Sequence, residues 1–353
     1  MIFFVKYFII ELNKEIEKME VYMSEILLHY TRAGKVENIH RGDIVAVDTT
    51  GKIIDSVGDP HKKMFWRSAA KPFQALPFVK KGGLARYGIT EKELALLVSS
   101  HSGEPVHVDL VKSVLGKIDL DVSVLDCGSS RPMNSKAAKV LVENKQKPEA
   151  VHNACSGKHS GMLALCQMLG ISIEGYTKPD HEVQKQMHES VANSAKISTD
   201  ELEIGIDGCG VPVFYLPLYH MSLAYARLAK PEVGNWGSYE TAARTIRDAM
   251  IAYPEILAGT GRIDTIVANV TKGRIIAKVG AEAVYCLASV PDGVGITFKI
   301  EDGNYSAINP AVIGVLKRMD LISKSEYAEL IEKFPPILKN HRGDVIGTIE
   351  TMF

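Results

Sequence analysis

Ser68 and Lys71 stand three residues apart in Arg67-Ser68-Ala69-Ala70-Lys71-Pro72, a spacing that puts both side chains on one face of a helix, about a turn apart. A serine hydroxyl is a poor nucleophile until a neighbouring base takes its proton. A lysine serves as that base only when burial or a second cation lowers its pKa. Ala69, Ala70, Phe73, Ala75 and Leu76 supply apolar surroundings, and Arg67 supplies positive charge. Pro72 fits best in a first helical turn, so Ser68 is expected at or just before a helix start, where backbone N–H groups and the helix dipole can stabilise an oxyanion. Taken alone, this spacing more often means an N-capping serine followed by a solvated lysine.

Two further stretches change that weighting. Ser99-Ser100-His101-Ser102-Gly103-Glu104 follows the apolar run Leu94 to Val98, which puts its hydroxyls at the end of an element. Lys278-Val279-Gly280 falls on an expected strand late in the chain; by itself it reads equally as an edge-strand lysine. Ser-x-x-Lys, then a serine cluster, then Lys-x-Gly is the order found in serine β-lactamases and penicillin-binding proteins. No Ser-Asp-Asn sequence accompanies it.

A second constellation is Asn153-Ala154-Cys155-Ser156-Gly157-Lys158-His159, followed far along by Asp207-Gly208-Cys209-Gly210. Zinc favours thiolates and usually takes four ligands, often in pairs close in sequence. By chemistry alone His159 is the natural third donor, whereas Lys158 would have to be neutral to offer a lone pair. Cys155 and Lys158 are one helical turn apart. Buried free cysteines, or a Cys155 nucleophile lacking a histidine–acid pair, are the other readings of these residues.

The elements that must position these groups come in blocks. Ile44 to Val47, the turn Asp48-Thr49-Thr50-Gly51 and Ile53 to Val57 read as a hairpin. From Ser68 to about Ala258 the apolar spacing is mainly helical, as in Ala69 to Lys80, Gly161 to Leu169, Glu182 to Ala195 and Met221 to Ala229. From Asp264 the pattern returns to strands: Ile266 to Val270, a turn at Thr271-Lys272-Gly273, Arg274 to Val279, Ala283 to Ala288 and Gly295 to Ile300. Strand, helix, strand in blocks is an α+β signature. Joining the N-terminal hairpin to the C-terminal meander predicts one antiparallel sheet beside a central helical block, with Lys278 brought close to the start of that block. Residues 23–66 and 262–353 form the sheet region of a single catalytic domain, and 67–261 the helical region.

The 353 residues can bury a large core, and 46% apolar with 24% charged residues is an ordinary globular balance. A net charge of -1 gives no electrostatic case for nucleic acid or an anionic membrane. Five scattered cysteines argue against a disulfide framework and for a reducing, cytoplasmic compartment. Met1 to Ile10 is apolar apart from Lys6 but has no preceding basic residues, no cleavage site, and too little length to span a bilayer. Residues 1–22 are therefore expected to be an extra helix, a poorly ordered extension, or sequence upstream of a start at Met19 or Met23.

Together these segments resemble the class 3 L-asparaginases. The resemblance rests on Arg67 to Pro72, Ser100-His101-Ser102, Asn153 to Leu163, Asp207-Gly208-Cys209, Lys278-Val279-Gly280-Ala281 and Lys299 to Asn304, in that order, from about Val36 to near the C-terminus. It implies a fold similar to serine β-lactamases and glutaminases, and two serine–lysine pairs: Ser68, the nucleophile, with Lys71, and Ser100, a proton relay, with Lys278. It implies a zinc site at Cys155, Lys158 and Cys209, in place of the chemically preferred His159. Arg67, Asp207 and His101 are then the expected contacts for the substrate, L-asparagine, and the expected assembly is a homodimer. A glutaminase or another small-amide hydrolase is the nearest alternative, because a methylene in a pocket discriminates by only about 1–3 kcal/mol. A zinc-dependent binding protein without catalysis is the alternative from another class.

Overall fold

Strand β1 (Glu25–Arg32) turns through Ala33-Gly34 into the long β2 (Lys35–Asp48). Asp48 Oδ1 then accepts from the N–H groups of Thr50 and Lys52, folding the expected hairpin into β3 (Ile53–Val57). The structure is a computed structural model that describes residues 24–353, and the extension expected over residues 1–22 lies outside the described residues.

After a short β4 (Lys63–Phe65) the chain enters its helical block. The principal helices are α1 (Glu91–Leu97), α2 (Pro105–Lys117), α3 (Ser135–Glu143), α4 (Ser156–Leu169), α5 (Glu182–Ala195), α6 (Leu218–Ala229), α7 (Glu240–Ala252) and α8 (Ile263–Val270). Between α5 and α6, β5 (Glu203–Ile206) and β6 (Pro212–Pro217) pair with β4 in a small sheet of order β4-β6-β5 that the helical periodicity did not announce. The meander follows as β7 (Ile275–Gly280), β8 (Val284–Ser289) and β9 (Val294–Ile300). Helices α9 (Ile308–Arg318) and α10 (Lys324–Lys333) and strands β10 (Ile337–Lys339) and β11 (Val345–Thr351) complete the chain.

The large sheet runs β10-β11-β1-β2-β9-β8-β7, with β3 also on β2. The pairing of β2 with β9, in register at Asp43 with Lys299, joins the N-terminal hairpin to the C-terminal meander, all antiparallel as expected for an α+β fold. Both faces are covered, so β7, β8 and most of β9 are continuously buried rather than alternating. Val45, Val47, Ile276, Cys286 and Ala288 face the helical block. Ile44, Ala46, Ala277, Val279, Leu287 and Phe298 face a second core under α8, α9 and α10. Helix α6 lies on the sheet so closely that a Cβ at Gly295 would meet the Ser222 carbonyl oxygen and the Ala226 nitrogen.

Two local expectations are corrected. Ile266 to Val270 is not a strand but the body of α8, which starts at Ile263. Ile263, Val267 and Val270 recur at helical spacing and pack on the second core, and that burial overrides the strand preference of β-branched residues. Ala69 to Lys80 is not one helix. It is a 3₁₀ turn at Arg67–Ala70 and two short helices, Lys71–Gln74 and Leu76–Lys80. Pro72 and Pro77 each sit in the first turn of a new piece, where a missing N–H costs no hydrogen bond. Among the described residues no helix is long and apolar enough to cross a membrane.

Candidate active site

Ser68 lies half-buried in the one-turn 3₁₀ helix, directly after Arg67, whose φ of 52° is left-handed. A non-glycine residue there carries backbone strain of order 1–3 kcal/mol and persists only where its surroundings hold it. Here the Arg67 Nε donates to Asp207 Oδ1 at 2.9 Å, and the preceding Trp66, fully buried, donates its N–H to the Phe214 carbonyl at 2.8 Å. Tyr225 donates to the Ala69 carbonyl at 2.8 Å. The turn that carries Ser68 is thus pinned to the small sheet on one side and to α6 on the other.

Lys71 points inward from the next helical piece and is 1% exposed. Its Nζ donates to the Ser99 carbonyl at 2.6 Å, to Ser100 Oγ at 3.0 Å and to the Ala154 carbonyl at 3.2 Å. All three ammonium donors are therefore used, and none goes to Ser68. The hydrogen-bonded pair in this structure is Lys71 with Ser100. Burial lowers the Lys71 pKa, Cys155 opposes that shift, and Lys158 adds to it. The gap lined by Lys71, Lys158, Leu97 and Met187 amounts to about 10 Å³, at the lower limit for a single water, so bulk solvent does not relieve the desolvation.

Ser100 is placed by the end of α1. Its N–H donates to the Leu257 carbonyl at 2.9 Å, and Ser102 Oγ donates to the Ala258 carbonyl at 2.8 Å. Glu104 closes the loop by accepting from Asn134, from the Thr260 N–H and from the Thr260 hydroxyl. Below it, a Cβ on Gly157 would stand 2.3 Å from the Leu96 carbonyl oxygen, so only glycine lets the start of α4 approach α1. His101 is fully buried, with Nδ1 accepting from the Gly103 N–H at 3.1 Å. Its Nε2 must then carry the proton and donate to Ser156 Oγ at 2.8 Å. This ring braces the serine loop against α4 and has no free nitrogen to offer a ligand.

Lys278 comes from β7, opposite Cys286 of β8, and is completely buried. Burial, then the neighbouring Lys71 charge, pushes its pKa well below the usual lysine value. Its Nζ donates to the Val279 carbonyl at 3.0 Å.

The second constellation gathers at the start of α4. One ligand atom each from Cys155, Asp207 and Cys209 lie within 4.8 Å of one another. Lys158 Nζ donates to Cys209 Sγ at 3.2 Å, and Cys209 Sγ lies 3.5 Å from Asp207 Oδ2. A hydrogen bond from Cys209, more than the opposing burial, drives the Cys155 pKa well below a normal thiol, and Lys71 and Lys158 help. The hydrogen bond shared with Cys155, with burial, pushes the Cys209 thiol up in turn. Burial alone would lower the Lys158 pKa, but Cys209, Cys155 and Asp207 more than offset it and raise it. Two adjacent sulfurs, one with its proton affinity lowered, with an amine and a carboxylate at hand form a donor set that fits a metal ion. His159 is not part of that group: its Nδ1 pairs with the Tyr176 hydroxyl at 2.7 Å.

Ser68, Lys71, Ser100, Lys278, Cys155, Lys158, Cys209, Asp207 and Arg67 thus converge where the serine turn, the serine loop, β7 and α4 meet. Sequence reasoning missed the Ser99 and Ala154 carbonyls that bind Lys71, the Arg67–Asp207 ion pair, and Asp264 of α8, which accepts from the Val279 N–H at 2.7 Å. Backbone acceptors leave no residue-type signal. Gly259-Thr260-Gly261 was the one visible hint that a loop buttresses the site. A cavity of about 580 Å³ lies on the far side of the serine loop, against α2 and α3, and none of the four serine and lysine residues lines it.

The L-asparagine-related likeness extends beyond these residues. The family described as L-asparaginase II matches residues 28–351. A search of curated proteins finds no match. Among solved structures, a putative β-lactamase from Bacteroides dorei is similar over 78% of this chain and 93% of its own, at 11% identity and a TM-score of 0.41. A β-lactamase from Mycobacterium bovis is similar over 78% and 94%, at 10% identity and a TM-score of 0.39. Mglu is similar over 79% of this chain and 61% of its own, at 14% identity and a TM-score of 0.36. The family match spans nearly the whole described chain: the protein belongs to the L-asparaginase II family of amidohydrolases.

Proposed function

We propose that this protein is an L-asparaginase that hydrolyses L-asparagine to L-aspartate and ammonia. The observation that carries the reading is a buried lysine, Lys71, hydrogen-bonded to Ser100 one turn beyond Ser68, with a second buried lysine, Lys278, within its electrostatic reach. Desolvation and mutual repulsion favour the neutral amine, the form a base requires.

In this reading neutral Lys71 takes the Ser68 proton as Ser68 Oγ bonds to the side-chain amide carbon. The resulting tetrahedral intermediate carries an oxyanion that the site must stabilise. Collapse breaks the C–N bond; Ser100 passes its proton to the leaving nitrogen and regains one from protonated Lys71, so ammonia departs and an ester remains on Ser68. Water then attacks that ester as Ser100 and Lys278 take its proton; the bond from the carbonyl carbon to Ser68 Oγ breaks, the proton passes back to Ser68 Oγ, and aspartate leaves. Ser68 suits the nucleophile because it is the more accessible serine, Ser100 being 7% exposed and already engaged. Arg67 and Asp207 suit the α-carboxylate and α-ammonium groups by charge. His101 holds the serine loop in place.

Cys155, Lys158 and Cys209 are the residues that would hold zinc, with Asp207 beside them, and the ion would order the substrate pocket. Lys158 must give up its proton to serve as a ligand. A cytoplasmic homodimer is the assembly we expect, in keeping with five free, buried cysteines.

The test is ammonia release from L-asparagine and L-glutamine by the purified protein, with Ser68→Ala as control. Asparagine turnover abolished by the substitution supports both the reaction and the nucleophile. Glutamine turnover in its place assigns a glutaminase, and full activity in Ser68→Ala refutes the nucleophile.

A further inference from the structure

Lys278 stands on β7, the outer strand at its end of the sheet, yet its amine is buried. An ammonium has three donors, and the Lys278 Nζ has one protein acceptor, the Val279 carbonyl at 3.0 Å. The N–H of that same residue donates to Asp264 Oδ1 at 2.7 Å. In an extended strand the N–H and C=O of one residue project to the same side. For Val279 this is the side away from β8, where α8 packs. The lysine amine and the carboxylate therefore converge on one stretch of strand edge. Asp264 is 2% exposed, and its second oxygen, Oδ2, is buried with no hydrogen-bond partner. A buried amine with unused hydrogen-bonding capacity and a buried carboxylate with an unused acceptor thus share this strand edge, without a hydrogen bond between them in this structure.

We propose that Asp264 is the positioning residue of Lys278: anchored on the Val279 N–H, its carboxylate receives the lysine amine through Oδ2 whenever that amine carries a proton. The inference rests on the reading in which Lys278 relays protons during amide hydrolysis. When Ser100 Oγ gives its proton to Lys278 Nζ, an O–H bond breaks and an N–H bond forms. Asp264 stays a carboxylate and accepts the new donor.

The start of α8 is held firmly enough for this role, because Thr265 Oγ1 donates to the Pro254 carbonyl at 3.0 Å and the Gly259 carbonyl at 2.7 Å. The charged and titratable groups that face Lys278 are Lys71, Arg262, Asp264 and Cys155, with Cys286 across the ladder and His101 in the serine loop. Lys71 and Arg262 disfavour the ammonium, and Asp264 favours it more than Cys155 does. The competing donor for Oδ2 is the Tyr285 hydroxyl, which is also buried and without a partner.

The experiment is an NMR titration of the full-length protein labelled at lysine Cε, with Lys278→Arg to assign the resonance. Wild type is compared with Asp264→Asn, Asp264→Ser and Tyr285→Phe, and near-UV circular dichroism identifies the folded variants. Asp264→Ser keeps an acceptor for the Val279 N–H and is the second neutral variant should Asp264→Asn fail to fold. Removing the carboxylate should lower the Lys278 midpoint by about one pH unit, a tenfold loss of proton affinity. The acidic limb of kcat/KM on asparagine should move to lower pH with it. An unchanged midpoint in the folded neutral variants overturns the proposal, and an equal shift in Tyr285→Phe assigns Oδ2 to the phenol and overturns it too. Absence of turnover in wild type on either amide refutes the proposed function, while the titration still decides the Asp264–Lys278 contact.

Discussion

Lys71 and Lys158 are buried to nearly the same depth, 1% and 5% exposed, yet their surroundings push their amines in opposite directions. Lys71 is met by two carbonyls and a hydroxyl, and burial, with the Lys158 charge, outweighs the opposing Cys155. Lys158 is met by a cluster of two thiols and a carboxylate that carries negative charge of its own. Burial makes a lysine a better base only where anionic neighbours do not offset it: it prevails at Lys71 and is more than offset at Lys158. One lysine is suited to moving protons, and the other to holding a cluster of anionic ligands together.

The contrast has an opposite signature in stability. Lys71 and Lys278 bind protons less tightly in the fold than in the unfolded chain, whose lysines titrate near about 10.4. Unfolding then takes up protons below that value, and stability rises with pH through the window beneath it. Lys158 binds its proton more tightly in the fold. Its contribution is fully present below the unfolded value and is lost as pH rises through the folded one.

The largest effect expected is on turnover. Lys71→Met should lower kcat on asparagine by at least about 10³-fold with the fold retained, and steady-state ammonia assays check it; comparable activity would remove Lys71 from the base role. Next comes stability: Lys158→Met leaves Asp207 and the two sulfurs without their cation and should cost about 3–5 kcal/mol in urea denaturation. A loss no greater than that of Lys71→Met would erase the contrast between the two lysines. Metal analysis sharpens it further. About one zinc per chain is expected, lost in Cys155→Ala and in Cys209→Ala, and retention of zinc in both would show that the sulfurs are not the ligands. The smallest effect lies away from the chemistry. Gly295→Ala drives a methyl into the backbone of α6 and should lower stability by about 1–3 kcal/mol while leaving the pH profile of turnover unchanged.

Much of this organisation was legible in residue types. The joined antiparallel sheet followed from two strand blocks flanking a helical one, because neither block alone makes an adequate sheet. Lys71, Ser100 and Lys278 stood out in the sequence as Ser-x-x-Lys, a serine cluster at the end of an apolar stretch and Lys-x-Gly on a late strand, in the order of serine β-lactamases. What failed was local. The run from Ile263 to Val270 is short and rich in β-branched residues, and at that length periodicity does not separate strand from helix. His159 was the better zinc ligand by chemistry, but its ring is turned to Tyr176, a direction that depends on how α4 is rotated against its neighbours.

The sequence by itself determined which groups were available: serines, lysines and cysteines at positions that the chain's own turns, prolines and glycines could bring to element ends. Tertiary structure alone decided which of them touch. It set Lys71 against Ser100 and two backbone carbonyls, placed Asp264 on the Val279 N–H at the free edge of β7, and gathered Cys155 and Cys209 across 54 positions of chain around Lys158. The physical reason is that proton affinity depends on desolvation and on neighbours remote in sequence, and backbone acceptors carry no side-chain identity by which a sequence could announce them.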